Sequence, residues 1–164
     1  MPRVYVSIGS NIEKERHIRQ GLQQLAEHYA PLTLSTVYQS RAIGFEGDDF
    51  YNLVAGFDTQ DSLAQIHVVL TDIEQRSGRV RNGVRFGPRT LDLDILLYGK
   101  RVLNDGTHQL PRGEIDEYAC VLRPLAEIAP DEHHPITHIT YHDMWRRFRD
   151  ATQPLIPVDM SFDQ

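Results

Sequence analysis

The chain has 164 residues, 40% of them hydrophobic and 24% charged, and carries a net charge of −6. That length fits one domain, able to bury roughly 70% of the surface its unfolded chain exposes. The negative balance argues against a general nucleic-acid or anionic-membrane binder, which needs a basic field. No apolar run approaches the ~20 residues of a membrane helix. The first residues show no signal-peptide pattern, and the single cysteine, Cys120, excludes an internal disulfide. A cytoplasmic protein is expected.

In chain order, "RVYVSIGS" alternates, with Val4, Val6 and Ile8 on one face and Tyr5 and Ser7 on the other, which predicts a half-buried strand. "GSN" then reads as a strand-to-helix turn with a capping Ser or Asn. It lacks the spacing of a P-loop. Ile18, Leu22, Leu25, Ala26 and Tyr29 fall at helical spacing, and Pro31 ends that helix. "LTLSTVYQS" and "FYNLVAGFDT" read as strands, separated by a loop, "RAIGFEGDD". Ser62 with Gln65 forms a capping-box signal for a helix carrying Leu63, Ile66, Leu70 and Ile73, with Gly78 as its stop. A further strand runs through "TLDLDILLYG". The order, strand-helix-strand-strand-helix-strand, is that of an α+β, ferredoxin-like βαββαβ core with a mostly antiparallel sheet. Beyond Gly99 the signals weaken. Short helices are expected in "ACVLRPLAEIAP" and "YHDMWRRFRD", the latter with Met144, Trp145 and Phe148 as its apolar face. Residues 1–164 read as a single domain, with 151–164 a loosely ordered tail.

Two acids interrupt the last core strand. By alternation Asp92 and Asp94 share a face, while Leu91, Leu93, Ile95 and Leu97 take the other. Their Cα atoms should lie ~6.5–7 Å apart. Burying two carboxylates side by side is costly without something positive between them. Mg²⁺, which takes oxygen ligands and is commonly held by one or two carboxylates plus phosphates, fits that role. An edge strand whose Asp face meets water fits the bare D-x-D pattern as well. Just upstream, "RSGRVRNGVRFGPR" holds five arginines and no acid. Guanidinium forks match phosphate oxygens. A solvated basic loop is the alternative, but its adjacency to the Asp pair favours phosphate chemistry.

"RFGPRTLDLDILLYG" resembles the signature of the 6-hydroxymethyl-7,8-dihydropterin pyrophosphokinases. The pattern is a basic residue, an aromatic, Gly-Pro-Arg, two residues, Asp, an aliphatic, Asp and further aliphatics, and every element is present. "SIGSN", "GRVR" at Gly78 to Arg81 and "RPLAEIAP" at Arg123 to Pro130 extend the resemblance over about residues 3 to 130. It implies a ferredoxin-like fold and transfer of a pyrophosphoryl group from ATP to the hydroxymethyl oxygen of a reduced pterin, releasing AMP. It implies that Asp92 and Asp94 ligate two Mg²⁺ ions, and that Arg79 and Arg89 act with them in catalysis. Glu74, Arg79, Arg81, Arg89 and Arg112 correspond to ATP-binding positions, and Phe86 to the aromatic of the catalytic loop. Ser40, Ile43, Phe50, Asn52 and Asp92 correspond to the pterin site. Such an enzyme needs no nucleic acid or membrane and is expected as a monomer or weak homodimer.

The chain departs from the family pattern in "QLPRGEIDEYACVLRPL". Arg112 stands where His is usual, Tyr118 where an ATP-contacting Arg is usual, and Cys120 where an aromatic closes the pterin pocket. Arg112 can still meet phosphate. Tyr118 supplies no positive charge, and Cys120 cannot stack, so Phe45 or Tyr118 is left to close the pocket. Cys120 itself reads best as a small buried hydrophobe. These departures leave open a paralogue for a related reduced pterin, or a weakened pseudoenzyme that binds nucleotide or pterin. An RNA-recognition module shares the βαββαβ order, but it needs aromatics where this strand carries Asp92 and Asp94. His134, His138 and His142 would align on a helix, which Pro135 opposes, so they read as surface or internally bonded histidines rather than a metal site. Tyr38 reads equally as strand packing or pocket lining.

Overall fold

The computed structural model describes residues 1–41, 49–78 and 90–162. The main sheet contains β1 (Arg3–Ser10), β2 (Thr33–Leu34), β3 (Val37–Ser40), β4 (Phe50–Asp58), β5 (Asp92–Tyr98) and β8 (Ile156–Val158). Its order is β5-β1-β4-β3-β8, every pair is antiparallel, and β2 also pairs with β4. With α1 (Lys14–Tyr29) and α2 (Leu63–Arg76), this is the ferredoxin-like α+β core expected from the sequence. The stretch read as one strand, "LTLSTVYQS", is two, β2 and β3.

Each face of the sheet is covered. Val4, Val6, Ile8, Leu53, Ala55, Phe57 and Leu93 meet α1 and α2 through Ile18, Leu22, Leu25, Ile66, Leu70 and Ile73. Tyr5, Val54, Leu96 and Leu97 meet the opposite layer, built by α3 (Glu114–Glu117), α4 (Ala119–Ile128) and α5 (Tyr141–Arg147). β1 is therefore buried on both faces rather than half-buried, because the C-terminal helices cover the Tyr5 side. Leu97 also departs from the simple alternation. A register shift between β1 and β5 pairs Val6 with Ile95 but Tyr5 with Leu97. Leu96 is the extra residue, so Leu97 changes face and joins Tyr5.

The second helix starts as its sequence demands. Ser62 Oγ accepts from Gln65 N, and Gln65 Oε1 accepts from Ser62 N. The turn "GSN" does not cap α1. Its N-cap is Glu13, which has no side-chain cap bond. Ser10 instead donates to Thr90 O at 2.6 Å and ties the end of β1 to the residues leading into β5. Part of the tail is ordered into the sheet. β8 pairs with β3 from Val37↔Val158 to Gln39↔Ile156, and Met160 and Phe162 pack on the core. An edge strand with free N–H and C=O groups recruits such a segment even where its sequence has little period.

Beyond β5 a small hairpin, β6 (Leu103–Asn104) and β7 (Gln109–Leu110), forms a separate two-stranded sheet. It folds back so that Arg112 N donates to Leu96 O at 3.0 Å. That bond pins the residue following the hairpin to the edge of β5.

Candidate active site

β5 lies at the edge of the sheet, so its Asp face has a strand neighbour on one side only. Asp92 pairs with Gly9 and Asp94 with Ser7 on β1. Cross-strand partners share a face, so both acids lie opposite Leu93 and Ile95, as alternation predicts. The surroundings of Asp94 are not simply water. Its side chain is 27% exposed and lines a cavity of about 490 Å³ between α2, β5 and the β6–β7 hairpin. Leu70, Glu74 and His67 form the α2 wall, with Arg112 and His108 opposite.

Glu74 is buried, only 2% exposed, and its Oε2 accepts from Leu93 N at 2.9 Å. Leu93 is the residue between the two Asp side chains. A helix carboxylate thus fixes the backbone that aims both acids. Arg112 enters from the far side, with Nη2 3.5 Å from Asp94 Oδ1 and Nε 2.8 Å from Glu114 Oε2. Burial, foremost, and the neighbouring Asp92 charge push the Asp94 carboxyl up to about 7, with Arg112 opposing and Glu74 and Glu114 adding to the rise.

That shift has a stability consequence. Folded Asp94 titrates near 7, against 3.8 as the ordinary value. Between those limits the folded chain holds a proton that the unfolded chain has lost, so this group lowers stability as pH rises from about 4 to about 7. Asp94→Asn removes the titration. The metal-free variant should melt above wild type at pH 8, with the gap shrinking toward pH 5, in paired thermal melts. An equal gap at both pH values would contradict the assignment.

The pterin-site candidates that the structure describes come together across the sheet. Ser40 pairs with Phe50, Tyr38 pairs with Asn52, and Asn52 Nδ2 donates to Ser40 Oγ at 3.1 Å. Gly9 lies between the two sets of candidates, paired with Asp92 on one side and with Asn52 on the other. A Cβ on Gly9 would meet Asn52 Oδ1 at 2.7 Å. The "SIGSN" glycine is therefore a spacer that lets the Asn52 amide lie beside the Asp92 position. Gly9→Ala should displace Asn52, raising KM for the pterin about tenfold while KM for ATP moves little. Steady-state kinetics with each substrate varied checks this.

Cys120, in the first turn of α4, has its side chain against Ser40, and burial pushes its thiol up to about 11. It is a neutral, partly buried packing group at the margin of the Ser40–Asn52 face. Tyr118 joins α3 to α4, its amide donating to Glu114 O at 3.0 Å. Tyr38 is a packing residue, 5% exposed, with its hydroxyl on Glu127 and the Arg123 guanidinium over its ring. His134 Nδ1 accepts from the amides of Ile136 and Thr137, so its ring organises a turn. Ile43, Phe45, Arg79, Arg81, Arg85, Phe86 and Arg89 lie outside the described residues.

Sequence reasoning missed Glu114 and the spacer role of Gly9. The opposite charges of Arg112 and Glu114, two residues apart, were the available signal for the first. The second needed the strand register.

The HPPK-DHPS crystal structure from Plasmodium falciparum matches 90% of this chain with a TM-score of 0.64 at 13% identity. At that identity the likeness shows the fold alone, and the chain spans 43% of that structure's length. Residues 5–130 match the model of the 7,8-dihydro-6-hydroxymethylpterin-pyrophosphokinase family. The 2-amino-4-hydroxy-6-hydroxymethyldihydropteridine pyrophosphokinase of Pseudomonas aeruginosa is 39% identical over 133 residues, 79% of this chain and 82% of that protein. Its namesake from Aquifex aeolicus is 32% identical over 138 residues, 83% of this chain and 86% of that protein. The chain belongs to the 7,8-dihydro-6-hydroxymethylpterin-pyrophosphokinase family.

Proposed function

We propose that the cavity beside β5 holds ATP and that the Gly9–Asn52–Ser40 face holds the pterin, with Asp92 and Asp94 between them. As a member of its family the chain is a pyrophosphokinase of folate synthesis. It transfers the β,γ-pyrophosphoryl group of ATP to the hydroxymethyl oxygen of 6-hydroxymethyl-7,8-dihydropterin and releases AMP. The single observation that carries the residue assignment is the register Asp92–Gly9–Asn52, which puts the Asp92 and Asn52 positions on either side of one glycine.

The donor set suits Mg²⁺. Two carboxylates offer hard oxygen ligands on one strand face, and burial with the neighbouring Asp92 charge disfavours the ionised form of Asp94, which a bound cation would favour. Among the described residues no group of three or more His, Cys, Asp or Glu could hold a metal. Two carboxylates fill only part of an octahedral shell, so substrate phosphates would complete the shells of two ions held by Asp92 and Asp94. When bound, the metal supplies charge neutralisation along the triphosphate. Arg112 adds a cation at the cavity wall, and Arg79, Arg81 and Arg89 are assigned to the phosphates with it. Glu74 acts on the nucleotide site through the β5 backbone. Phe50 offers a ring and Asn52 an amide to a flat heterocycle. Catalysis is then positioning of the alcohol in line with the β-phosphorus, together with stabilisation of developing phosphate charge.

No helix among the described residues is long and apolar enough to cross a membrane. The reading takes ATP and a reduced pterin as the working partners in the cytoplasm. The test is AMP release from ATP with 6-hydroxymethyl-7,8-dihydropterin, run beside other reduced pterins. The reading expects the hydroxymethyl substrate to be turned over fastest. No AMP with any pterin overturns it.

A further inference from the structure

In the proposed site Glu114 is assigned to neither the metal nor a substrate, yet it lies against Arg112. It opens α3 two residues after Arg112, and its Oε2 accepts from Arg112 Nε at 2.8 Å. The same guanidinium places Nη2 at 3.5 Å from Asp94 Oδ1. The first distance is that of a charge-assisted hydrogen bond, and the second that of a looser ion pair. Arg112 N is itself bonded to Leu96 O, so the backbone is held and the side chain alone can redirect. We propose that Glu114 is a positioning residue. It holds Arg112 by Nε and leaves the outer edge of the guanidinium to pass from Asp94 to a nucleotide phosphate. This inference rests on the nucleotide reading of the cavity.

Asp94 and a nucleotide phosphate compete for the outer edge of one guanidinium. A guanidinium has five N–H donors in a planar fork, so Nε–H can stay on Glu114 while the outer Nη groups serve another acceptor. Asp94, holding a divalent cation, would offer Arg112 less negative charge, and the cation would repel the guanidinium. With Glu114 present, Arg112 leaves Asp94 and keeps a partner. Without Glu114, Asp94 is the carboxylate that Arg112 still meets among the described residues. The guanidinium then closes on it and opposes the cation. Plain electrostatics gives the opposite sign, because removing a negative charge beside a triphosphate should strengthen nucleotide binding.

Calorimetry on the full chain with Mg²⁺ and unreactive α,β-methylene-ATP separates the two. Glu114→Gln should weaken nucleotide binding about 5- to 10-fold and raise the Mg²⁺ needed for half-saturation about threefold. Glu114→Asp, which keeps the charge, should recover most of that loss. In an Arg112→Lys background, Glu114→Gln should change binding less than about twofold, since the fork it holds is gone. Unchanged or tighter binding by Glu114→Gln overturns the inference, as does an equal loss in the Arg112→Lys background. AMP release assayed in parallel keeps the two readings apart. Wild-type turnover with undiminished nucleotide binding by Glu114→Gln removes the positioning role and leaves the function. Weakened binding by Glu114→Gln without wild-type turnover does the reverse.

Discussion

Asp94→Asn and Asp92→Asn should each lower the rate of AMP release at least ~10²-fold while the chain stays folded. The side chains differ by one atom, so sheet pairing and packing are preserved and only the charge is lost. For Asp94 the two properties move in opposite directions. The carboxyl is held near 7 by burial and by Asp92, so its neutral replacement removes repulsion from the metal-free protein. A variant that melts higher at pH 8 and turns over a hundredth as fast is the signature of a residue retained for chemistry at a cost in stability. If both Asn variants turn over at the wild-type rate, the acids are surface features of an edge strand and the metal assignment fails.

Glu74→Ala should carry the next largest effect, on stability and rate together. Glu74 is 2% exposed, and its carboxylate meets the Leu93 amide. Truncation leaves a buried N–H without that acceptor, a cost of about 1–3 kcal/mol. For a chain of this size each kcal/mol lowers Tm by roughly 2–4 °C. The amide concerned lies between Asp92 and Asp94, so the strand that aims them loosens as well. AMP release should therefore fall about tenfold or more even at temperatures where the variant is fully folded. Glu74→Gln keeps an acceptor and should recover most of the melting temperature. Thermal melts and turnover on both variants check the pair. A Glu74→Ala chain that melts with wild type would show that the α2-to-β5 bond does not hold the strand.

The core elements were legible because each carries a period or a punctuation mark. Val4, Val6 and Ile8 alternate, Ile18 to Tyr29 repeat at helical spacing, and Ser62 with Gln65 marks a helix start. The Asp pair was legible for the same reason, as a face. What meets that face was not. Arg112 reaches Asp94 only because a hairpin of two-residue strands folds back on β5, and strands so short carry no period. Alternation places Leu97 beside Leu93 and Ile95, and it cannot foresee the extra residue Leu96 that moves Leu97 to the Tyr5 face. β8 joins the sheet through β3's open edge, a property of the assembled sheet rather than of the tail's own sequence. Gly9 reads as turn chemistry in isolation. Its role as a spacer appears only when Asp92 and Asn52 are placed on either side of it.

The placement of the metal and both substrates around that row is tested most directly by a crystal structure of the chain with Mg²⁺, α,β-methylene-ATP and 6-hydroxymethyl-7,8-dihydropterin. The account predicts cation density between the Asp92 and Asp94 carboxylates and the phosphates, with the pterin ring against Asn52 and its hydroxymethyl group directed at the β-phosphorus. Cation and nucleotide bound away from Asp92 and Asp94, or a pterin on another face of the sheet, would contradict it.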